Sequence, residues 1–280
     1  MLTLEAWLKL IVGFASIVLL KSYDLGFVWL LSTSITSTIV AMITIVVIWI
    51  EGGSIIKFPF NLLKKELWNY SWPISIATGL QWFQSSGWRL VVERFGSIEL
   101  VGMISIAVSY GASLMAASHQ VLDQINLPQL YRKYNNSITH KDKNHQWRQY
   151  AIYMIKLLSI CSVIISIISP AIFLVATNKV YHSVALLVSI FTFTEFTRII
   201  CSIYQQRYFL QKDTREMIIP FVGSAIMSVV FSYYGIIQFG AAGLTIGLLL
   251  SGGITALLFD YLMPADFRLV LRKYTWKNCS

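Results

Sequence analysis

Long apolar runs, separated by short polar segments, dominate the chain. A membrane-spanning helix needs about 20 predominantly apolar residues, and eight runs come close to or exceed that length. They lie at residues 4–20, 26–50, 70–92, 97–122, 150–175, 183–208, 217–237 and 240–262. The pattern therefore predicts an all-α integral membrane protein with about eight transmembrane helices.

The composition supports the same class of protein. The chain has 280 residues, of which 56% are hydrophobic and only 12% are charged. Soluble domains carry roughly 25% charged residues, so a soluble fold is excluded. The three cysteines, Cys161, Cys201 and Cys279, form no CxxC pair. We interpret the first two as small packing residues within apolar runs, without a disulfide or a metal.

Lysine and arginine are distributed unevenly between alternate connections, and this asymmetry predicts the orientation. One set of connections holds only Lys21, Arg94 and Lys179. The other set, with the C-terminal tail, holds Lys57, Lys64, Lys65, Arg132, Lys133, Lys141, Lys143, Arg148, Arg207, Lys212, Arg215, Arg268, Arg272, Lys273 and Lys277. Positive residues stay in the cytoplasm, so both termini are predicted to be cytoplasmic. The net charge of +9 is thus a topology signal and predicts no nucleic-acid partner. The polar connection at 128–149 is expected to be a solvated loop.

Arg89, Lys156 and Arg198 are basic residues within predicted spans. An arginine at the bilayer centre costs about 2.5–3.5 kcal/mol on insertion scales, so each is a functional candidate. Arg198 follows Glu195 by three residues, which places both on one helix face. The pair either neutralises itself within the membrane or lines a polar cavity. Lys156 is close enough to the end of its span to extend to the interface.

Arg89 continues a line of polar residues. Gln81, Ser85 and Arg89 follow at intervals of four, and Glu93 continues the spacing. One interpretation is that Arg89 extends to the lipid headgroups. The other is that the line faces a water-filled interior, where Arg89 meets an anionic substrate and Glu93 holds it in place until then.

The sequence contains no motif typical of a catalyst. HExxH, a glycine-rich phosphate loop and a Ser/His/Asp set are all absent. His119, Asp123 and Gln124 lie near the end of the fourth span, where a polar helix end explains them. The prediction is a protein that is not an enzyme and has no cofactor and no metal.

Residues 72–111, WPISIATGLQWFQSSGWRLVVERFGSIELVGMISIAVSYG, resemble the seventh and eighth helices of the polysaccharide and O-antigen flippases. This family belongs to the multidrug/oligosaccharidyl-lipid/polysaccharide exporter superfamily. Pro73, Arg89, Gly96 and the run at 102–107 carry the resemblance. Residues 127–135 and 239–253 are similar to later parts of the family pattern. Two positions depart from it: the family has Asp where this chain has Trp88, and Tyr where it has Ile104.

The resemblance implies translocation of an undecaprenyl-diphosphate-linked oligosaccharide or O-antigen unit across the bacterial inner membrane, for surface polysaccharide synthesis. It implies substrate binding by Arg89, Arg198, Glu195, Gln81, Ser85 and Glu93. Trp82 and Trp88 are candidates for contacts with the glycan. The implied partners are the lipid-linked oligosaccharide and the bilayer. A polysaccharide polymerase or ligase, or a chain that supplies missing helices, is a further candidate.

Members of that superfamily have two helix bundles, and this chain is similar to helices five to twelve. Residues 1–67 are then the last two helices of an N-terminal bundle with a cytoplasmic linker, residues 68–265 a C-terminal six-helix bundle, and residues 266–280 a cytoplasmic tail. Alternating access needs two bundles, so we expect either another chain with the remaining helices or a truncated product. The alternatives are a cation-coupled exporter of the same superfamily and a non-transporting membrane scaffold or remnant.

Overall fold

The computed structural model describes residues 60–263 continuously, together with the isolated positions 38, 39, 42, 43, 46 and 269. The predicted spans at 4–20 and 26–50, and the tail at 266–280, fall outside the continuous range. Every regular element within 60–263 is helical. The α-helices are α1 Phe60–Ser86, α2 Trp88–Phe95, α3 Ile98–Asn136, α4 His140–Ala176, α5 Ala185–Gln211 and α6 Ile218–Leu262.

Four helical stretches of the described range are long and apolar enough to cross a membrane. They are Ile98–Asn136, Lys141–Ala176, Lys179–Gln211 and Arg215–Leu262. The last two each begin with a short 3-10 turn, Lys179–Val184 and Arg215–Met217. These stretches confirm the prediction of an all-α, multi-pass membrane protein.

The longest element, α6, consists of two helices that fold back on each other. Gly240 interrupts it with a φ of 61° and a ψ of −142°, a conformation that glycine adopts without steric cost. A Cβ added to Gly235 would lie 2.5 Å from the carbonyl oxygen of Gly243, and one at Gly247 would lie 2.7 Å from that of Phe231. These contacts pair Gly235 with Gly243 and Phe231 with Gly247, at similar separations in sequence before and after Gly240. The two arms therefore form an antiparallel hairpin and correspond to the predicted spans 217–237 and 240–262.

The expected loop at 128–149 is wrong, because this segment is almost entirely helical. Helix α3 continues to Asn136 and α4 begins at His140, so residues 137–139 alone connect them. At 1.5 Å per residue, the 39 residues of α3 span about 58 Å, nearly twice the thickness of the hydrocarbon core. The ends of α3 and α4 thus project as a pair beyond the membrane. Lysine, arginine and glutamine favour helices as readily as loops, so polarity alone was a poor guide.

Helix α5 is the centre of the packing, since it contacts α3, α4 and α6. Two separate groups of buried apolar residues lie along it. The first, which we call the Trp88 core, includes Trp88, Val92, Ile104, Val188, Phe191 and Leu244. The second, the Trp147 core, includes Met115, Trp147, Leu158, Ile199, Tyr204, Tyr208 and Phe259.

The Trp147 core is held by aromatic contacts between α4, α5 and α6. The rings of Tyr204 and Phe259 stack with an interplanar angle of 3° and centroids 6.1 Å apart. The ring of Trp147 also contacts that of Tyr204, with centroids 6.1 Å apart. The Tyr204 hydroxyl donates to the carboxylate of the buried Asp260 over 3.0 Å. This hydrogen bond satisfies two buried polar groups and fixes the ring that joins the three helices.

The connections of the described helices allow a direct test of orientation. Reporter fusions at residues 140 and 212 are expected to report the cytoplasm, and fusions at 179 and 238 the outer side. Positions 140 and 212 adjoin the α3–α4 connection and the end of α5, while 179 precedes α5 and 238 adjoins the hairpin turn. Alkaline phosphatase and fluorescent-protein fusions distinguish the two sides. An external signal at 140 would contradict the orientation that the positive charges predict.

Candidate functional site

A polar layer separates the two apolar cores. Along α5, Val188 and Phe191 belong to the Trp88 core, and the run from Ile199 belongs to the Trp147 core. Glu195 and Arg198 lie between them and line a cleft. The same order holds on α3, where the lining residue Ala112 lies between Ala107 and Met115 of the two cores. The cleft thus lies near the middle of the predicted spans.

The cleft lies where α1, α2, α3, α5 and α6 meet. Its volume is about 30 Å³, which is room for one or two water molecules. The residues that line it are Gln84, Ser85, Trp88, Val108, Ala112, Phe191, Thr194, Glu195, Arg198, Leu248 and Ser251. In this conformation the cleft has room only for water and is too small for a sugar.

Glu195 and Arg198 form an ion pair within α5. The Nη1 atom of Arg198 donates to Oε2 of Glu195 over 2.6 Å, and the two side chains are 27% and 13% exposed. Within the described residues, the buried Nε of Arg198 and the buried hydroxyl of Ser251 make no hydrogen bond. A guanidinium has five N–H donors. The ion pair therefore leaves a cation with donors still available beside a small polar space.

Gln84 connects α1 to the α6 hairpin at this level. Its side chain is 4% exposed, and its Nε2 lies 3.5 Å from the hydroxyl of Thr255. Its backbone carbonyl accepts a hydrogen bond of 3.0 Å from Ser228. Sequence reasoning chose the neighbours of Gln84 as site residues and missed it. The sequence did contain a signal for it, because Gln84 and Trp88 are four residues apart, as Gln81 and Ser85 are.

The predicted site residues are only partly brought together. Ser85, Glu195 and Arg198 line the cleft, whereas Gln81 is half-buried outside the lining set. Arg89 and Glu93 are exposed, and the guanidinium carbon of Arg89 lies 5.7 Å from the ring centroid of Trp88.

Helix geometry explains why Arg89 leaves the polar face. Each residue turns the helix by 100°, so a spacing of four overshoots a full turn by about 40°. Two such steps place Arg89 about 80° from Gln81, and Glu93 lies further round. The face towards the cleft is formed instead by Gln84, Ser85 and Trp88. The two candidate tryptophans differ accordingly, because Trp88 is buried in the lining and Trp82 is 62% exposed.

A second polar group lies further along α3, towards the projecting helix ends. His119 Nε2 is 3.3 Å from the carboxylate of Asp123, which also accepts a 2.9 Å hydrogen bond from the Tyr150 hydroxyl of α4. This group ties α3 to α4 where both approach the predicted membrane surface. Among the described side chains, no group of three or more histidine, cysteine or carboxylate residues has a geometry that suits a metal ion.

No protein-family model, no curated protein and no solved structure matches this chain. The chemistry of the cleft is therefore the basis for a functional assignment. It combines a guanidinium, a carboxylate, a carboxamide and hydroxyl groups around space for water. These groups bind and orient polar or anionic ligands by charge-assisted hydrogen bonds.

Proposed function

We propose that the chain takes part in moving an undecaprenyl-diphosphate-linked oligosaccharide across the bacterial inner membrane. The observation that carries this proposal is the polar layer between the two apolar cores, with Arg198 at its centre. A diphosphate needs a cation and several hydrogen-bond donors to leave water. Arginine provides both in a planar fork that matches phosphate oxygens.

The geometry of the ion pair supports a role beyond neutralising one helix. Glu195 engages one nitrogen of Arg198, while the Nε of Arg198 stays buried without a partner in the described range. In the proposed mechanism, Glu195 holds the guanidinium until the diphosphate replaces it as the anion. The helices around the cleft must separate to admit a substrate, because the present space holds only water.

Deleting the gene in its host tests this function. We expect lipid-linked saccharide units to accumulate on the cytoplasmic leaflet and surface polysaccharide to be lost. A plasmid copy should restore both. Leaflet location is measured by the accessibility of the glycan to a lectin in right-side-out and inverted vesicles. Unchanged surface polysaccharide in the deletion strain would contradict the proposal.

The same strain separates the two alternative functions. A scaffold for polysaccharide assembly would reduce the polymer without accumulation of lipid-linked units on the inner leaflet. A cation-coupled exporter would leave the polysaccharide intact and raise sensitivity to cationic compounds. A cleft for cationic substrates would favour unpaired acids, whereas the acid in this lining, Glu195, is paired with Arg198.

A further inference from the structure

A second and larger cleft lies between the projecting ends of α3 and α4. Its volume is about 480 Å³, within the range of typical small-molecule sites. Carboxamides dominate its lining, which consists of Ile125, Asn126, Gln129, Leu130, Lys133, Gln146, Gln149, Tyr150 and Tyr153. It is separate from the Arg198 cleft, since the two share no lining residue.

Several polar groups of this cleft are available to a ligand. Within the described part of the chain, the side chains of Gln129, Gln146 and Tyr153 form no hydrogen bond. Asn126 uses its amide N–H on the carbonyl of Leu122, which leaves its side-chain oxygen available. Each carboxamide offers both donors and acceptors. A ligand that matches this lining must therefore carry neutral groups that donate and accept at once.

The two most buried residues of the lining form the floor of the cleft. Leu130 and Tyr150 are buried at 3% and 8% exposure. The Tyr150 hydroxyl is held by Asp123 over 2.9 Å, so the ring has a fixed position. An apolar floor with surrounding carboxamides and tyrosines suits a sugar, whose C–H face packs on apolar groups while its hydroxyls both donate and accept.

The position of the cleft relative to the membrane indicates that the sugar is attached to a lipid. The predicted span of α3 ends near residue 122, and the lining residues of α3 run from 125 to 133. At 1.5 Å per residue, they lie about 5–17 Å beyond the span, from the headgroup layer outwards into the water.

We infer that this cleft is a docking site for the neutral sugar of a diphosphate-linked glycolipid, on the side of the membrane from which α3 and α4 project. This inference rests on the proposed function and assigns it an entry site for the glycan. The glycan is bound here, just outside the membrane surface, before its diphosphate reaches Arg198.

Binding to the full chain in nanodiscs tests the inference, without sugar-headgroup detergents, which would compete. The probes are undecaprenyl-diphosphate carrying glucose, galactose or N-acetylglucosamine, the matching free sugars, and inorganic pyrophosphate. We expect at least one glycolipid to bind at least tenfold more tightly than its free sugar. Gln129→Ala/Gln146→Ala should weaken that binding at least tenfold. Gln124→Ala is the matched control, because Gln124 is an exposed glutamine of α3 outside the lining.

The outcomes are distinct, provided that thermal unfolding shows each variant to be folded. No binding of any glycolipid, or equal binding by the double variant and wild type, overturns the inference. Equal affinity for the glycolipid and the free sugar would contradict a lipid-linked ligand. Binding of pyrophosphate alone would contradict recognition of a sugar. Loss of sugar binding in the double variant supports the site even if the deletion strain keeps its polysaccharide. In that case the transport proposal is contradicted and the binding site is not.

Discussion

Arg198→Ala is expected to abolish surface polysaccharide in the complemented deletion strain. The substitution removes the cation that lines the mid-membrane cleft and leaves Glu195, which is 13% exposed, without its partner. Breaking a fully buried pair by removing one member costs about 3–5 kcal/mol, and we expect a smaller loss for this partly exposed pair. The variant therefore tests both transport and folding, and the amount of protein in the membrane has to be measured beside the polysaccharide.

A neutral pair separates these two effects. Glu195→Gln/Arg198→Gln keeps polar side chains at both positions and leaves no buried charge uncompensated. We expect normal protein level and no transport, because neutral amides do not provide the charge that a diphosphate needs. Full transport by the double variant would mean that the pair only neutralises α5 in the membrane, and the proposed role of Arg198 would be wrong.

Arg89→Ala is the matched control for charge. Both are arginines of predicted spans, but Arg89 is exposed beside Trp88 and lies outside the cleft lining. If the cleft is the substrate site, Arg89→Ala should retain most transport. The resemblance to the flippases predicts the opposite, since it places the substrate at Arg89. Loss of transport in Arg89→Ala with normal activity in the neutral pair would move the substrate site to the exposed face.

The architecture was predictable because the membrane restricts the backbone. Polar backbone groups must be paired within hydrocarbon, so apolar runs of about 20 residues have to be helical. The break between the last two predicted spans coincides with Gly240. The alternation of positive charges and the hairpin both require the chain to reverse direction between these two spans.

The helical projection of α3 and α4 was missed, although its signal lies in the sequence. Leu130 and Tyr134, four apart, and Trp147, Tyr150 and Met154, at spacings of three and four, are buried. Their spacing is that of an amphipathic helix face. The polar composition of residues 128–149 obscured this helical periodicity, because apolar residues are sparse in that segment. Packing between α3 and α4, which no single helix reveals, decides the outcome.

The site was only partly predictable, since helix rotation is set by tertiary packing. Sequence spacing selected Ser85 and the Glu195–Arg198 pair, which line the cleft, but it favoured Arg89 over Gln84. Gln84 is buried because its carbonyl and amide meet Ser228 and Thr255 of the hairpin, more than 140 residues later in the chain. Such long-range contacts fix which face turns inward, and one helix cannot specify them.

Gly247→Leu is expected to destabilise the hairpin severely. A Cβ at this position would lie 2.7 Å from the carbonyl oxygen and 3.1 Å from the Cβ of Phe231, so any side chain must push the two arms apart. Overpacking a well-filled interface costs about 1–3 kcal/mol for small additions and more for larger ones. The arms carry Leu248 and Ser251 of the cleft, so transport should fall together with stability. The measurement is the midpoint of thermal unfolding in detergent, with the monodisperse yield after chromatography.

Gly253 provides a control in the same arm of the hairpin. A Cβ added there meets no atom within 4 Å. Gly253→Ala should therefore leave the protein unchanged or stabilise it by up to about 1 kcal/mol through helix propensity. Gly247→Ala receives the same propensity gain but must still displace Phe231, so its midpoint should fall below that of wild type. If both alanine variants unfold at the same temperature, the arms are not in close contact at Gly247, and the loss in Gly247→Leu reflects side-chain size alone.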